Sequence, residues 1–386
     1  MGLFEKKHVK ILTLIFALSF GVELAGAAQA PIRIKVLVPD KNAPVKPTSA
    51  VTPASTSLPA SFPFSRWNGL PTVNVSLNES VSETLVFDTG LDKNLVSSDA
   101  GVRLNLPKLT GIVKAAFLDT TIEGSETRLD NIRFSSIQIR DIPAGIANLA
   151  ARLSMKPHPD APIGWLGTQF LSNYQVTFDF PQNTITLNTP ASRFPKGRDS
   201  VVFPLEIQNG RPYIKVSIPG SKPFLALLDT GSPGSLLPAS AIEKLKLKPI
   251  RIESISRYDV QIPAPPVKEP AKEGSVVGNK EGANSAKTDG LKENIKKEDV
   301  KQDVKGGLKV GMKDGQAALV VLPKLTIGKL EWKNQRIVYL TADSAPEFNR
   351  ELAILGMDII SSYRVTLNFD RKQVQFTPLI QETKEP

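Results

Sequence analysis

Apolar and polar residues alternate in two short stretches, each of which follows an Asn-Gly pair. After Asn68-Gly69 the apolar positions are Val73, Val75 and Leu77; after Asn209-Gly210 they are Ile214, Val216 and Ile218. A period of two after a tight turn predicts a strand with one buried face. Pro71 matches Pro212 and Ser76 matches Ser217, so the two stretches align without a gap. Each leads into a short apolar strand, Leu85-Val86-Phe87 or Ala226-Leu227-Leu228, and then into a triplet, Asp88-Thr89-Gly90 or Asp229-Thr230-Gly231. In both copies the aspartate stands 20 residues after the asparagine.

A second block recurs after each triplet. Trp165-Leu166-Gly167, Phe170-Leu171, Tyr174, Val176-Thr177 and Phe178 return as Ile354-Leu355-Gly356, Ile359-Ile360, Tyr363, Val365-Thr366 and Leu367. An internal repeat of this kind sets the architecture. The expected fold is all-β, two similar lobes with a cleft between them and one or two short helices in each, such as the amphipathic segment from Pro238 to Leu245. The lobes are placed at 63–196 and 197–386.

The copies differ in one place. Asp88 to Gly167 spans 79 residues and Asp229 to Gly356 spans 127, so the second copy carries 48 more. From Pro263 to Lys309 there is no aromatic residue, and Lys, Glu, Asp, Gly and Ala dominate. Such a stretch buries too little apolar surface to offset its ordering entropy, which predicts a disordered surface insertion at 263–309, with a partly formed exposed helix as the alternative. Its position in the second lobe raises the hypothesis that it gates the cleft.

The N-terminus changes the expected compartment. Lys6, Lys7 and Lys10 precede an apolar run from Ile11 to Val22 and a small-residue site at Ala25-Gly26-Ala27, the pattern of a secretory signal over 1–28. The run falls short of the ~20 residues of a membrane-spanning helix. Export to a periplasmic or extracellular space is therefore expected, with no stable membrane span after cleavage and an uncleaved anchor as the alternative. Residues 29–62 read as a proline-rich, unfolded linker.

Composition then narrows the chemistry. The chain has no cysteine, which excludes disulfides and a thiol nucleophile. Its two histidines are His8, inside the signal, and His158, between Pro157 and Pro159, so a histidine metal centre or a serine triad is not expected. Neither a metal nor a cofactor is expected. The formal charge is +10, and removing the signal, linker and insertion leaves only +4 on the lobes. Without a basic cluster interleaved with aromatics, nucleic acid is not an expected partner.

Two loops carrying aspartates and facing each other across a pseudo-twofold axis have a definite chemical use. Glycine after the threonine permits a tight loop and close approach of another backbone. Two carboxylates brought together cannot both ionise, so they share a proton and titrate as a unit. The ionised member can take a proton from water while the protonated member polarises a carbonyl. One Asp-Thr-Gly alone would read as an ordinary turn; two, each with both flanking blocks in order, do not.

These residues resemble the aspartic peptidases, and within them the retropepsin-like lobes of two-lobed bacterial exported aspartyl proteases, over roughly 66–190 and 200–378. The resemblance implies a monomeric aspartic endopeptidase acting on extended polypeptide, with Asp88 and Asp229 as the dyad and the Trp165-Leu166-Gly167 and Ile354-Leu355-Gly356 blocks threading beneath them. It implies that Thr89 and Thr230 hydrogen-bond across the lobe interface, that Gly90 and Gly231 offer carbonyls to substrate, and that the Ser232 hydroxyl bonds the outer oxygen of Asp229. Leu91 stands where the first copy lacks that serine, so Asp88 is expected to hold its proton to higher pH, with an optimum nearer weak than strong acid. A covering hairpin is expected at Ile122-Glu123-Gly124-Ser125, with its second-lobe counterpart near Lys313-Asp314-Gly315. The alternative function is a catalytically inactive peptide-binding or regulatory protein on the same fold.

Overall fold

The structure, a computed structural model, describes residues 53–55, 58–77, 82–117, 120–134, 137–149, 161–258, 312–344 and 349–378. The predicted signal, most of the linker, His158 and the 263–309 insertion lie outside them. The first lobe comprises β1 (Pro53–Ser55), β2 (Ala60–Pro63), β3 (Ser65–Trp67), β4 (Leu70–Leu77), β5 (Ser82–Phe87), β6 (Leu95–Ser97), α1 (Ser98–Arg103), β7 (Ile112–Phe117), β8 (Thr120–Phe134), β9 (Ile137–Ala147), β10 (Gly164–Leu166), α2 (Thr168–Leu171), β11 (Gln175–Asp179) and β12 (Thr184–Asn188). The second comprises β13 (Val201–Pro204), β14 (Glu206–Gln208), β15 (Arg211–Val216), β16 (Phe224–Leu228), α3 (Ala239–Ile242), β17 (Arg251–Tyr258), β18 (Met312–Ile327), β19 (Leu330–Leu340), β20 (Ile354–Leu355), α4 (Met357–Ile360), β21 (Tyr363–Asn368) and β22 (Gln373–Pro378). The fold is all-β with short helices, as the alternation predicts.

The repeat in sequence is a repeat in pairing. Asn68-Gly69 and Asn209-Gly210 are the turns of the hairpins β3–β4 and β14–β15, with positive φ at all four residues. That requirement explains why Asn and Gly occupy them. Ser76 pairs with Arg133 in the first lobe as Ser217 bridges Thr326 in the second, and Leu95 pairs with Gly145 and Trp165 as Leu236 bridges Val338 and Ile354. Pro238 caps α3, and a 3₁₀ turn over Glu243–Leu245 completes the predicted Pro238–Leu245 helix, burying Ala241 and Ile242.

A six-stranded sheet joins the lobes in the order β13-β22-β21-β11-β12-β2, which reads the same from either end under the repeat. Its midline falls between β11 and β21, where Thr177 pairs with Thr366 and their hydroxyls lie 2.9 Å apart. These two threonines are repeat equivalents, so the pseudo-twofold axis runs between them. Arg364 Nε donates to Asp179 Oδ2 at 2.6 Å across the same junction. One boundary needs correcting: β2 at Ala60–Pro63 is an edge of this sheet with Ala60 and Phe62 buried, so the first lobe begins inside the stretch read as an unfolded linker. The apolar pair Ala60 and Phe62, at a spacing of two, was a strand signal overshadowed by the prolines before it.

Beneath Asp88 the core is aromatic. Phe87 lies 5.8–6.0 Å, centroid to centroid, from Phe62, Phe134 and Phe170, all fully or nearly fully buried. Fully burying each such ring contributes about 1.5–3 kcal/mol. At the repeat-equivalent positions the second lobe uses Leu228, Ile327 and Ile359, also buried. Among the described residues no helix is long and apolar enough to cross a membrane.

The two predicted covering hairpins are placed differently from their expected turns. In the first lobe β7 and β8 pair from Ile112↔Ser125 to Phe117↔Thr120, so Gly124 lies inside a strand rather than at a turn. Its lack of a side chain serves packing: a Cβ there would lie 2.6 Å from the Ile146 carbonyl oxygen. In the second lobe β17 and β18 pair up to Tyr258↔Met312, so Lys313-Asp314-Gly315 is likewise inside a strand. The chain between Tyr258 and Met312, which contains the insertion, therefore joins the two strands of the hairpin equivalent to β7–β8.

Candidate active site

Each aspartate sits one residue past the end of a buried strand. β10 runs parallel to β5 and β20 runs parallel to β16, so the backbone N–H of Asp88 donates to Leu166 O and that of Asp229 to Leu355 O, both at 3.0 Å. The glycine after each block passes directly under the aspartate's own loop. A Cβ on Gly167 would lie 2.3 Å from Lys93 O, and one on Gly356 would lie 2.4 Å from Gly234 O. A brace completes each loop: Gly167 N–H donates to Asn94 Oδ1 at 3.0 Å, and Gly356 N–H to Ser235 Oγ at 2.9 Å.

The two loops interlock through their threonines. Thr89 N–H donates to Thr230 Oγ1 and Thr230 N–H donates to Thr89 Oγ1, both at 3.0 Å. Each hydroxyl in turn donates to the opposite lobe, Thr89 to Leu228 O at 2.6 Å and Thr230 to Phe87 O at 2.7 Å. All four bonds are buried, where leaving a polar group unpaired costs about 1–3 kcal/mol. The lobes are thus locked together at the residues that follow the carboxylates.

The glycines have a sharper role than permitting a turn. A Cβ on Gly90 would lie 2.2 Å from Asp229 Cγ, and one on Gly231 would lie 2.2 Å from Asp88 Cγ. Each carboxyl group therefore occupies the space a side chain on the opposite loop would need. Asp88 Oδ1 accepts from Gly90 N–H at 2.7 Å and Leu91 N–H at 3.1 Å; Asp229 Oδ1 accepts from Gly231 N–H at 2.8 Å. Both aspartates are only 4% exposed, and their carboxyl groups are close enough for each to change the other's protonation.

Burial and mutual repulsion decide their protonation. Asp88 is raised well above the ordinary carboxylate range, first by burial and then by the charge of Asp229. Asp229 is raised to about 6, again by burial, while backbone donors, the Asp88 carboxyl and Arg211 pull it down. The two carboxyl groups therefore titrate as a pair and hold one proton between them into weakly acidic pH. The direction of the shift matches the expectation for Asp88, but the expected cause does not hold. The Ser232 hydroxyl donates to Gly234 O at 2.8 Å, not to the outer oxygen of Asp229. Arg211 supplies an asymmetry instead.

Arg211 was not singled out from the sequence. It stands where the first copy has Leu70, is 8% exposed, and lies over the Tyr213 ring at 5.9 Å. Its charge acts on Asp229, Tyr213 and Asp92 of the other lobe. A charged residue aligned with an apolar one in the other copy is the signal that marks it. Asp92 was missed as well; its counterpart in the repeat is Pro233.

No protein-family model matches the chain, and no curated protein matches it. Among solved structures it is similar to the one described as the crystal structure of an aspartic proteinase from Irpex lacteus, at 13% identity, with 84% of this chain and 98% of that chain covered and a TM-score of 0.46. The reading of the site rests on its geometry.

Proposed function

We propose that the chain is an aspartic-type endopeptidase that hydrolyses peptide bonds of extended polypeptide with a water activated between Asp88 and Asp229. The observation that carries this reading is the reciprocal fit of each carboxyl group against the other loop's glycine, 2.2 Å from where a Cβ would be. An ordinary pair of turns has no reason to bring two buried aspartates from different lobes into one titrating unit. In the proposed reaction Asp229 takes a proton from water as the water oxygen bonds to the peptide carbonyl carbon. Asp88 gives its proton to the carbonyl oxygen, and the tetrahedral species that results is neutral. Collapse breaks the C–N bond, with one proton passing to nitrogen from Asp229 and one returning to Asp88 from the hydroxyl.

The resemblance to retropepsin-like lobes, together with the basic, apolar and small-residue order of residues 1–28, supports export of a two-lobed monomer to the periplasm or exterior. A statine-type transition-state mimic tests the chemistry. It is expected to bind tightly below pH 6 and to weaken as pH rises through the range in which the pair loses its shared proton, with at least about a hundredfold loss in Asp229→Asn. Binding that is absent, or indifferent to pH and to that substitution, refutes the proposal.

A further inference from the structure

β7 is the terminal strand of its sheet, so alternate N–H groups along it have no strand partner. One of these is used. Ala116 N–H, one residue from the end of β7, donates to Asp92 Oδ1 at 2.5 Å. Asp92 lies on the same loop as Asp88, four residues further along, so a single side chain ties the end of β7 to the loop that carries Asp88. The next residue provides a second anchor. Phe117 is half-buried and packs against an apolar cluster that belongs wholly to the second lobe, including Leu227, Leu319 and Ile354, with Tyr213 beside it. Leu227 is two residues before Asp229. The hairpin thus reaches from the loop of one aspartate to the strand that delivers the other.

The second lobe supplies a contrast within the same molecule. Counting back from the β8–β9 and β18–β19 turns, Phe117 corresponds to Arg257, which pairs with Lys313 as Phe117 pairs with Thr120. Asp92 corresponds to Pro233, which has no acceptor side chain to offer. Only the first lobe therefore has both residues. Burial raises the Asp92 carboxyl above its ordinary range, and Lys93 at 3.7 Å, the Ala116 amide and Arg211 from the opposite lobe offset only part of that rise.

We infer that Asp92 is a positioning residue: through the Ala116 amide, and together with Phe117 on the second lobe, it holds the β7–β8 hairpin closed across the two aspartates. The inference rests on the peptidase reading for its consequence, because a covering hairpin shields the reacting groups from water and aligns an extended substrate. The hydrogen bond itself is a property of the fold and is testable without activity.

The experiment compares wild type, Asp92→Ala and Asp92→Asn by amide hydrogen exchange and by cleavage of a peptide that wild type hydrolyses. Asp92→Asn keeps an oxygen acceptor for Ala116 N–H; Asp92→Ala does not. The expected result is about tenfold faster exchange confined to 112–117 and the facing part of β8 in Asp92→Ala, restored to near wild type in Asp92→Asn. Cleavage is expected to follow, with kcat about tenfold or more lower in Asp92→Ala, KM changed less, and recovery in Asp92→Asn. Unchanged hairpin exchange in Asp92→Ala overturns the inference, as does acceleration spread over the whole first lobe, or failure of Asp92→Asn to restore protection. If wild type cleaves nothing, the exchange comparison still decides the tether, so loss of the peptidase reading and loss of the tether are separate outcomes.

Discussion

At the scale of single residues, the site depends on what is missing as much as on what is present. Gly90 and Gly231 lack the one atom that would collide with the opposite carboxyl group, at 2.2 Å in both cases. Neither collision can be relieved by a flexible side chain, because the atoms met are those of the buried dyad. Gly90→Ala or Gly231→Ala is expected to displace the facing aspartate, lowering kcat by about a hundredfold or more and stability by about 1–3 kcal/mol. Steady-state kinetics alongside thermal melting checks this; a Gly90→Ala protein with wild-type kcat contradicts the reciprocal fit. The aspartates, threonines and glycines were legible because each stands in both copies. Arg211 and Asp92 were not, because they break the repeat: Leu70 and Pro233 occupy their equivalent places, and only three-dimensional packing shows the two lobes meeting there. Ser232 was legible as a residue but misread in its bond, since a hydroxyl can turn to a nearer carbonyl and the sequence does not say which.

At the scale of elements, strands announced by period-two alternation were found, as were the Asn-Gly hairpins and the helix after Pro238. Turn positions were less legible where glycine served another purpose. Gly124 marks a close backbone approach to Ile146 inside β8, and a glycine read from sequence does not distinguish that from a hairpin turn. The braces under the loops show a similar asymmetry. In the first lobe the backbone N–H of Asn94 donates to the neutral Gln169 Oε1 at 3.2 Å; in the second, Ser235 N–H and Oγ donate to Asp358, at 3.0 and 2.6 Å. Burial raises the Asp358 carboxyl to about 6 despite those donors. The folded state therefore holds this proton where the unfolded chain, near pH 4, has already released it. Stability from the protonated group is fully present below about pH 4 and is lost as pH rises through about 6, an effect on the order of 3 kcal/mol. Asp358→Asn, which has no proton to lose, is expected to gain in melting temperature relative to wild type between pH 4 and pH 7. A difference between the two proteins that stays constant over that range contradicts the assignment.

At the scale of the whole molecule, duplication explains both the fold and its site. A six-stranded sheet with its axis between Thr177 and Thr366 holds the lobes at one level, and the crossed bonds of Thr89 and Thr230 hold them at another. Two similar lobes joined in this way necessarily bring equivalent residues together near the axis, which is why one aspartate in each copy becomes a pair. The proton that the pair shares is the central claim, and both members are needed for it. The most direct measurement is cleavage of a peptide library by the purified protein from acidic to neutral pH, with Asp88→Asn and Asp229→Asn in parallel. The expected result is cleavage by wild type that reaches its maximum in weak acid and falls at least about a thousandfold in either variant. Cleavage that survives in either variant, or no cleavage by wild type at any pH, would contradict it.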